Sequence, residues 1–214
     1  MIFYINFEII IYKMKNEEED EIKVILLGNS GVGKTNLINI AIGNEFNEEE
    51  KTTTASTFAI KHLSVNSKDY ILNLWDTIGQ EKFRQLTKIF FNNSKIVIFV
   101  YDISNKESFD ALPGWLKDVE DQIGTNFVKG VVANKMDLYY DEQVKQEEGE
   151  QYSDSINATF LQTSAKTESP KKFDDFLAVL VEEYISKENI NPNGRFTLSR
   201  ENNLEEKKHK NCCN

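Results

Sequence analysis

A glycine-rich segment near the start of the chain has the residue types that hold phosphate. It is Gly28-Asn29-Ser30-Gly31-Val32-Gly33-Lys34-Thr35, which matches the pattern G-x-x-x-x-G-K-[ST]. The glycines let the backbone curl so that successive N–H groups point at phosphate oxygens, and a following helix adds its positive N-terminal end. We predict that Lys34 neutralises the β- and γ-phosphates and that the Thr35 hydroxyl ligates Mg²⁺. A plain strand-to-helix turn is the less favoured interpretation, because a buried strand precedes the segment and a helix follows it.

A tetrapeptide in the second half of the chain, Asn134-Lys135-Met136-Asp137, carries groups that select guanine. Guanine presents N1–H and N2–H donors side by side, and the Asp137 carboxylate can accept both, whereas adenine would leave that carboxylate without donors. Asn134 can hydrogen-bond the base, and the stem of Lys135 can cover its face. Alone, such a tetrapeptide is usually a solvated loop. Placed after a phosphate-binding loop and at the end of a predicted strand, it predicts GTP and GDP as ligands.

A third motif, Trp75-Asp76-Thr77-Ile78-Gly79-Gln80-Glu81, also follows a predicted strand. Asp76 is placed to hold the magnesium shell, the Gly79 N–H can approach the γ-phosphate, and Gln80 can orient an attacking water. A surface acidic turn is the alternative interpretation of this motif taken alone. With the other two motifs, it predicts hydrolysis of the terminal phosphate of GTP.

Alternating strands and helices position these motifs. Ile22–Leu27 is a continuous apolar run, as expected for a strand buried on both faces, and the break at residues 66–69 predicts a hairpin. The alternation predicts an α/β fold with a mainly parallel sheet covered on both sides. The predicted strands are Ile22–Leu27, Thr57–Val65, Tyr70–Trp75, Lys95–Tyr101, Val128–Ala133 and Thr159–Thr163, and the predicted helices are Lys34–Ile42, Glu107–Ile123, Glu142–Ser155 and Lys171–Ser186.

These motifs, together with Thr163-Ser164-Ala165-Lys166, resemble the Ras superfamily of small GTPases in order and spacing, from Ile22 to about Ser186. The resemblance implies a P-loop G domain, in which a six-stranded mostly parallel sheet with one antiparallel strand is flanked by five helices. We expect an N-terminal extension over residues 1–20, the G domain over residues 21–187, and a flexible hypervariable tail over residues 188–214.

The resemblance also implies roles for single residues. Ala165 would donate its N–H to the guanine carbonyl, Lys166 would lie beside the base, and Phe46 falls where the family keeps an aromatic against guanine. Thr53 falls where the first switch loop supplies a magnesium-binding hydroxyl, with Thr54 as its rival. The expected nucleotide-binding residues are Ser30, Gly31, Val32, Gly33, Lys34, Thr35, Asn36, Phe46, Thr53, Gly79, Asn134, Lys135, Asp137, Ser164, Ala165 and Lys166; the expected magnesium ligands are Thr35, Thr53 and Asp76, and the catalytic residues are Gln80 and Lys34.

Within the superfamily the chain is most similar to the Rab family. The Rab-like features are Ser30 in the phosphate loop, Trp75 before Asp76, the second-switch run 80–84, and the run 101–104 with Trp115 further on. The resemblance implies a monomeric GTP/GDP switch in vesicle traffic, with an exchange factor, a GTPase-activating protein, a GDP-dissociation inhibitor and effectors acting through the switch regions. Ile78 stands where the family usually has Ala, so a GTP-binding adaptor with impaired hydrolysis is one alternative. A Ras- or Rho-like signalling GTPase is the other.

Both cysteines of the chain, Cys212 and Cys213, are adjacent near the C-terminus, so they cannot form a disulfide that cross-links a core. In Rab proteins such a pair carries two geranylgeranyl groups, and two lipid chains anchor stably where one binds only marginally. The resemblance therefore implies a lipid-anchored protein on the cytosolic face of an intracellular membrane, with a cytosolic pool. Two unmodified thiols are the alternative.

Charge and the N-terminal segment bound the remaining possibilities. The formal net charge of −10 argues against sequence-independent binding of DNA or RNA, since neutralisation of nucleic-acid phosphates needs clustered Lys and Arg. The apolar opening MIFYINFEIIIYK lacks the basic start and cleavage site of a signal peptide, and translation from Met14 is the favoured interpretation over a membrane-contacting role. His62 and His209 are isolated, so no metal role is predicted for them.

Overall fold

The computed structural model describes residues 20–47, 57–77 and 87–190. Within these ranges one six-stranded sheet has the order β2-β3-β1-β4-β5-β6. Only β2 and β3 pair antiparallel, and the other neighbours pair parallel. The predicted α/β fold with a mixed six-stranded sheet and five helices is confirmed. The strands are β1 Asp20–Leu27, β2 Thr57–Val65, β3 Lys68–Asp76, β4 Ile96–Asp102, β5 Val128–Asn134 and β6 Thr159–Gln162, and the helices are α1 Lys34–Ala41, α2 Lys106–Asp110, α3 Leu112–Ile123, α4 Gln146–Ser155 and α5 Pro170–Ile190.

Strand β1 lies inside the sheet because its side chains are apolar on both faces. Ile22, Val24 and Leu26 belong to a core that also holds buried residues of α1 and α5. Ile25 and Leu27 belong to a second core, on the side that α3 covers. A strand buried on both faces reads as a continuous apolar run, since alternate side chains point to opposite faces.

The hairpin between β2 and β3 is tighter than the sequence predicts. Asn66 and Ser67 have φ values of 52° and 63°, and Val65 pairs with Lys68. Two central residues with positive φ make the turn whose twist matches the flanking strands. Strand β3 therefore begins at Lys68, two residues before the predicted Tyr70.

The helical segment predicted over Glu107–Ile123 is two helices. The break lies at Ala111, where α2 ends and α3 begins with Leu112-Pro113. Proline has no N–H to donate into a preceding turn, so it suits the start of a new helix. The N–H groups of Gly114 and Trp115 both donate to the Ala111 carbonyl, which opens α3.

The helix predicted from Glu142 begins only at Gln146. The N–H groups of Gln143 and Val144 donate to the Ile103 carbonyl at 2.8 and 3.1 Å, and these bonds hold the segment against the end of β4. A short 3₁₀ helix, Met136–Asp141, fills the interval after β5. At the other end, α5 extends to Ile190. In the described parts of the chain, no helix has the length and apolar character needed to cross a bilayer.

Candidate nucleotide-binding site

The three motifs and the Ser164-Ala165-Lys166 segment lie at one edge of the sheet. The segments follow β1, β3, β5 and β6, which run parallel to one another or are linked through parallel neighbours. Parallel strands end at the same edge, and in open α/β sheets ligands bind outside these carboxyl ends. Sheet topology therefore brings together segments that are far apart in sequence.

Two glycines of the phosphate loop occupy positions that no other residue fits. Gly28 has φ 147°, and an added Cβ would lie 2.1 Å from the Val100 carbonyl oxygen. Gly33 has φ 97°, and an added Cβ would lie 2.3 Å from the Asn134 side-chain nitrogen. Left-handed backbone is easy for glycine and strained for other residues. The loop can therefore pass close to β4 on one side and to the guanine motif on the other.

Lys34 is the first residue of α1, and its side chain reaches back across the phosphate loop. Its Nζ donates to the carbonyls of Gly28 and Asn29, at 2.8 and 2.9 Å, and the residue is buried. A buried ammonium needs such acceptors, because its desolvation is otherwise costly. These bonds hold the charge over the mouth of the loop, where the sequence predicts the β- and γ-phosphates.

Thr35 and Asp76 bring two oxygen groups together beside the loop. The Thr35 hydroxyl donates to Asp76 Oδ2 at 2.7 Å, and Asp76 is 5% exposed. The next residue, Thr77, donates to the Leu26 carbonyl at 2.6 Å, which fixes the end of β3 against β1. A hydroxyl and one carboxylate are hard oxygen donors, which suit Mg²⁺ that keeps waters and phosphate oxygens as its other ligands. Among the described residues no group of three or more His, Cys, Asp and Glu side chains could hold a metal by itself.

Asn134 joins three of the motifs. Its Nδ2 donates to the Val32 carbonyl at 2.8 Å, and its Oδ1 accepts from the Ala165 N–H at 3.2 Å. The residue is 1% exposed, so these bonds form away from water. The amide thus ties the phosphate loop, the end of β5 and the segment after β6 into one unit. The sequence predicts that Asn134 and Ala165 bind the base, and those two roles stay predictions.

Asp137 is held in place by Ser164. The Ser164 hydroxyl donates to Asp137 Oδ1, while the N–H groups of Lys166 and Thr167 donate to that hydroxyl at 3.1 and 3.2 Å. The hydroxyl orients one carboxylate oxygen and accepts the donors of the turn behind it. Ser164 thereby fixes the orientation of this carboxylate, and acceptance of the paired guanine N–H donors by Asp137 stays a prediction.

Lys135 adopts left-handed backbone, with φ 66°, and its Nζ lies 2.7 Å from Asp102 Oδ2. Asp102 ends β4, and its other oxygen accepts from the N–H and hydroxyl of Ser104 at 2.9 and 2.7 Å. The sequence does not predict this ion pair. The sequence feature that could have indicated this pair is the position of Asp102 at the end of a predicted strand, as Asn134 is at the end of the next one.

Asn29 is a second residue for which the sequence predicts no role of its own. Its side-chain oxygen accepts from the Trp115 indole at 3.1 Å, so the loop is braced by α3. The predicted contact Asn36 exchanges two hydrogen bonds with the backbone of Asn47, at 3.0 and 3.2 Å, and joins α1 to the chain after it.

Phe46 is half-buried against the core, and Lys166 Nζ lies 6.0 Å from the centre of its ring. The two residues therefore lie close together, and their predicted contacts with the base stay predictions. Several predicted site residues lie outside the described residues: Thr53, Ile78, Gly79, Gln80, Cys212 and Cys213.

Comparison with known proteins gives one family. A family model described as Ras family matches residues 23–185. The chain is 35% identical over 173 residues to the Ras-related protein RABA1b of Arabidopsis thaliana, covering 81% of this chain and 80% of that protein. It is 35% identical to the Ras-related protein Rab11E of Lotus japonicus, over 72% of this chain and 71% of that protein. It is 37% identical to the GTP-binding protein ypt3 of Schizosaccharomyces pombe, over 69% and 71%.

Proposed function

This chain belongs to the Ras family, and is therefore a small GTPase switch that binds guanine nucleotide; we propose that it is a Rab-type regulator of vesicle and membrane traffic. The observation that carries the nucleotide site is the Asn134 amide, which bonds both Val32 of the phosphate loop and Ala165. One side chain thereby sets the distance between the phosphate-binding and base-binding parts. The Rab assignment is supported by the names of the relatives and by the Rab-like residues around Trp75 and Asp102.

The proposed reaction is attack of water on the γ-phosphate of GTP, with release of GDP and phosphate. Gln80 orients the water, and Lys34 and the loop N–H groups stabilise the charge that develops on the phosphate oxygens. Related GTPases without an activating protein turn over at roughly 10⁻⁴ s⁻¹, and an activating protein accelerates them about 10⁵-fold. We propose the same slow intrinsic rate here, because the four site motifs contain no arginine that could stabilise that charge.

Mg²⁺ is the proposed cofactor, held by Thr35, Asp76 and Thr53. Bound there, it supplies positive charge to the phosphate oxygens. The Thr35–Asp76 contact of 2.7 Å supports this proposal, since the two oxygen donors already lie side by side. The residues on either side fix their positions: α1 carries Thr35, and Thr77 anchors the end of β3 to Leu26.

An exposed aromatic strip where the start of β2 pairs with the end of β3 supports an effector surface. Phe58 is 55% exposed and stacks on Trp75 with ring centres 5.3 Å apart, and Trp75 contacts Phe90 at 5.5 Å. Lys23 Nζ lies 4.5 Å from the Trp75 ring, and burial lowers the pKa of this lysine. Exposed aromatic groups of this kind are typical of protein interfaces. We propose that effectors bind here, together with exchange factor, activating protein and GDP-dissociation inhibitor on the neighbouring segments.

We further propose that Cys212 and Cys213 carry two geranylgeranyl groups, which hold the protein on the cytosolic face of an intracellular membrane. Extraction of the lipidated protein from the membrane by the GDP-dissociation inhibitor would maintain a cytosolic pool. Intact-mass measurement of protein from the source cells tests this proposal. Two lipids would favour the Rab assignment over a Ras- or Rho-like signalling GTPase, and none would weaken it.

The test of hydrolysis is single-turnover phosphate release from GTP-loaded protein with Mg²⁺, beside a Gln80→Leu variant. We expect slow release that the variant abolishes, with equal affinity for GTP in both proteins. Release at the same rate in both would refute the role of Gln80.

A GTP-binding adaptor with impaired hydrolysis is the second candidate, because Ile78 places a branched side chain where the family usually has Ala. Tight GTP retention with no phosphate release in either protein would favour this candidate. Ile78→Ala should then restore release.

A further inference from the structure

Three consecutive apolar or aromatic side chains are exposed on the 3₁₀ helix Met136–Asp141. Leu138 is 37% exposed, Tyr139 57% and Tyr140 86%. The two tyrosine rings lie 4.0 Å apart, centre to centre, with an angle of 37° between their planes. Single exposed apolar residues are ordinary, but an exposed run with a packed ring pair marks a surface that contacts another molecule.

The segment that carries the tyrosines is firmly held at both ends. On one side, the Leu138 N–H donates to the Lys135 carbonyl at 2.8 Å, and Lys135 is paired with Asp102. On the other side, Val144 is fully buried, and its N–H donates to the Ile103 carbonyl at 3.1 Å. The rings are therefore presented on a rigid turn, which reduces the conformational entropy lost when a partner binds.

The surroundings of the tyrosine pair are acidic. Asp141 and Glu142 follow directly and are exposed, and Lys145 is the one lysine between Asp141 and Glu150. Glu142 also contributes to a wider acidic field: burial, then the charges of Glu148, Glu142 and Glu150, raises the pKa of the Tyr101 phenol in β4. The Lys106 ammonium near this region is already bound to Glu148 at 2.8 Å.

We propose that Tyr139, Tyr140, Asp141 and Glu142, here called the tyrosine–acidic surface, dock an arginine- or lysine-rich segment of a partner protein. Guanidinium and ammonium groups stack on aromatic faces and pair with carboxylates, so this composition suits such a segment. The same negative charge disfavours nucleic acid and anionic lipid, which both need basic protein surfaces.

The tyrosine–acidic surface shares no residue with the two switch segments of the proposed function, residues 51–61 and 78–87. Docking should therefore be independent of the bound nucleotide. Effector binding, in contrast, should require GTP, so failure of one proposal is distinguishable from failure of the other.

The experiment is fluorescence anisotropy with a fluorescein-labelled peptide of alternating arginine and glycine, added to the full chain loaded with GDP or with a non-hydrolysable GTP analogue. Tyr139→Ser/Tyr140→Ser keeps the net charge and should weaken binding about fivefold, the loss expected for two exposed cation–π contacts. Asp141→Asn/Glu142→Gln should weaken binding and reduce its salt dependence. The charge-matched control is Asp175→Asn/Glu182→Gln on α5, which should bind like the wild type.

The proposal is overturned if the wild type shows no binding, if the tyrosine variant binds like the wild type, or if the α5 control weakens binding as much as Asp141→Asn/Glu142→Gln. A wild type that is dimeric by light scattering, and monomeric after the tyrosine substitutions, would assign the surface to a second copy instead. Should the double tyrosine variant lose its fold, Tyr140→Ser alone provides the test, because this side chain is 86% exposed and supports no core contact.

Discussion

Replacing Asn134 by alanine should detach the phosphate loop from the base-binding segments. The substitution removes the bond from Nδ2 to the Val32 carbonyl, at 2.8 Å, and the bond from the Ala165 N–H to Oδ1, at 3.2 Å. Each hydrogen bond contributes about 1 kcal/mol net, and a buried partner left without one costs about 1–3 kcal/mol. Because the site is 1% exposed, the two losses together should be about 2–4 kcal/mol.

That loss should be visible in nucleotide binding, because the two Asn134 bonds join the phosphate loop to the segment after β6, and both are predicted to contact the same nucleotide. At the middle of that range, the dissociation constant for GDP rises about 10-fold if half of the loss is felt by the nucleotide, and about 100-fold if all of it is felt. The assay is the dissociation rate of a fluorescent GDP analogue from Asn134→Ala, beside a thermal unfolding curve with and without excess GDP.

The matched control is Asn92→Ala, which removes an exposed amide at the end of the loop before β4. Its backbone carbonyl still accepts from Lys23, at 2.9 Å, so the fold is kept. An Asn134→Ala protein whose GDP dissociation and unfolding temperature equal those of Asn92→Ala would refute the reasoning.

Three further predictions concern close packing, an ion pair and a buried phenol. Gly33→Ala should weaken nucleotide binding at least about tenfold, because the added Cβ would meet the Asn134 side chain at 2.3 Å on strained backbone; equilibrium binding of labelled GDP measures this. Lys61→Met should lower the free energy of unfolding by about 1–2 kcal/mol, since the 2.7 Å pair with Asp174 is largely buried, and urea unfolding measures the loss. Burial, then the charge of Glu120, raises the pKa of Tyr152 from 10.0 to about 12. The contribution of the protonated phenol to stability is therefore complete below pH 10 and is lost as pH rises towards 12. Tyr152→Phe should make the urea midpoint fall less steeply between pH 10 and about 12.

Each of these predictions has a matched control. Gly31→Ala also places alanine at positive φ, 80°, but its Cβ meets nothing within 4 Å, so it should lose less affinity than Gly33→Ala. Lys171→Met removes an exposed i,i+4 pair and should change the unfolding free energy little. For Tyr152→Phe the control is the window below about pH 9, where the phenol is protonated in both states and the urea midpoints of variant and wild type should differ by a constant amount. Equal effects in a variant and its control would contradict the corresponding prediction.

Much of the fold follows from local patterns in the sequence. The apolar run Ile22–Leu27 predicts a central strand, and the period of the last helix predicts α5, because burial on two faces or on one stripe leaves a pattern within a few residues. The observed helix boundaries differ from the predicted ones where a distant contact competes with local preference. The N–H groups of Gln143 and Val144 donate to the Ile103 carbonyl instead of starting a helix, and no residue near them in the sequence indicates that partner.

By itself, the sequence determined which chemical groups this protein carries for phosphate and guanine. The residues Gly28–Thr35 act as one continuous segment, so type and spacing suffice to predict what the segment does. Only the tertiary structure decided how the segments meet: Asn134 bonding Val32, Thr35 meeting Asp76, and Lys135 pairing with Asp102. These partners lie far apart along the chain or on different strands. Their distances depend on the order and register of parallel strands, which the side-chain pattern of a single strand does not encode.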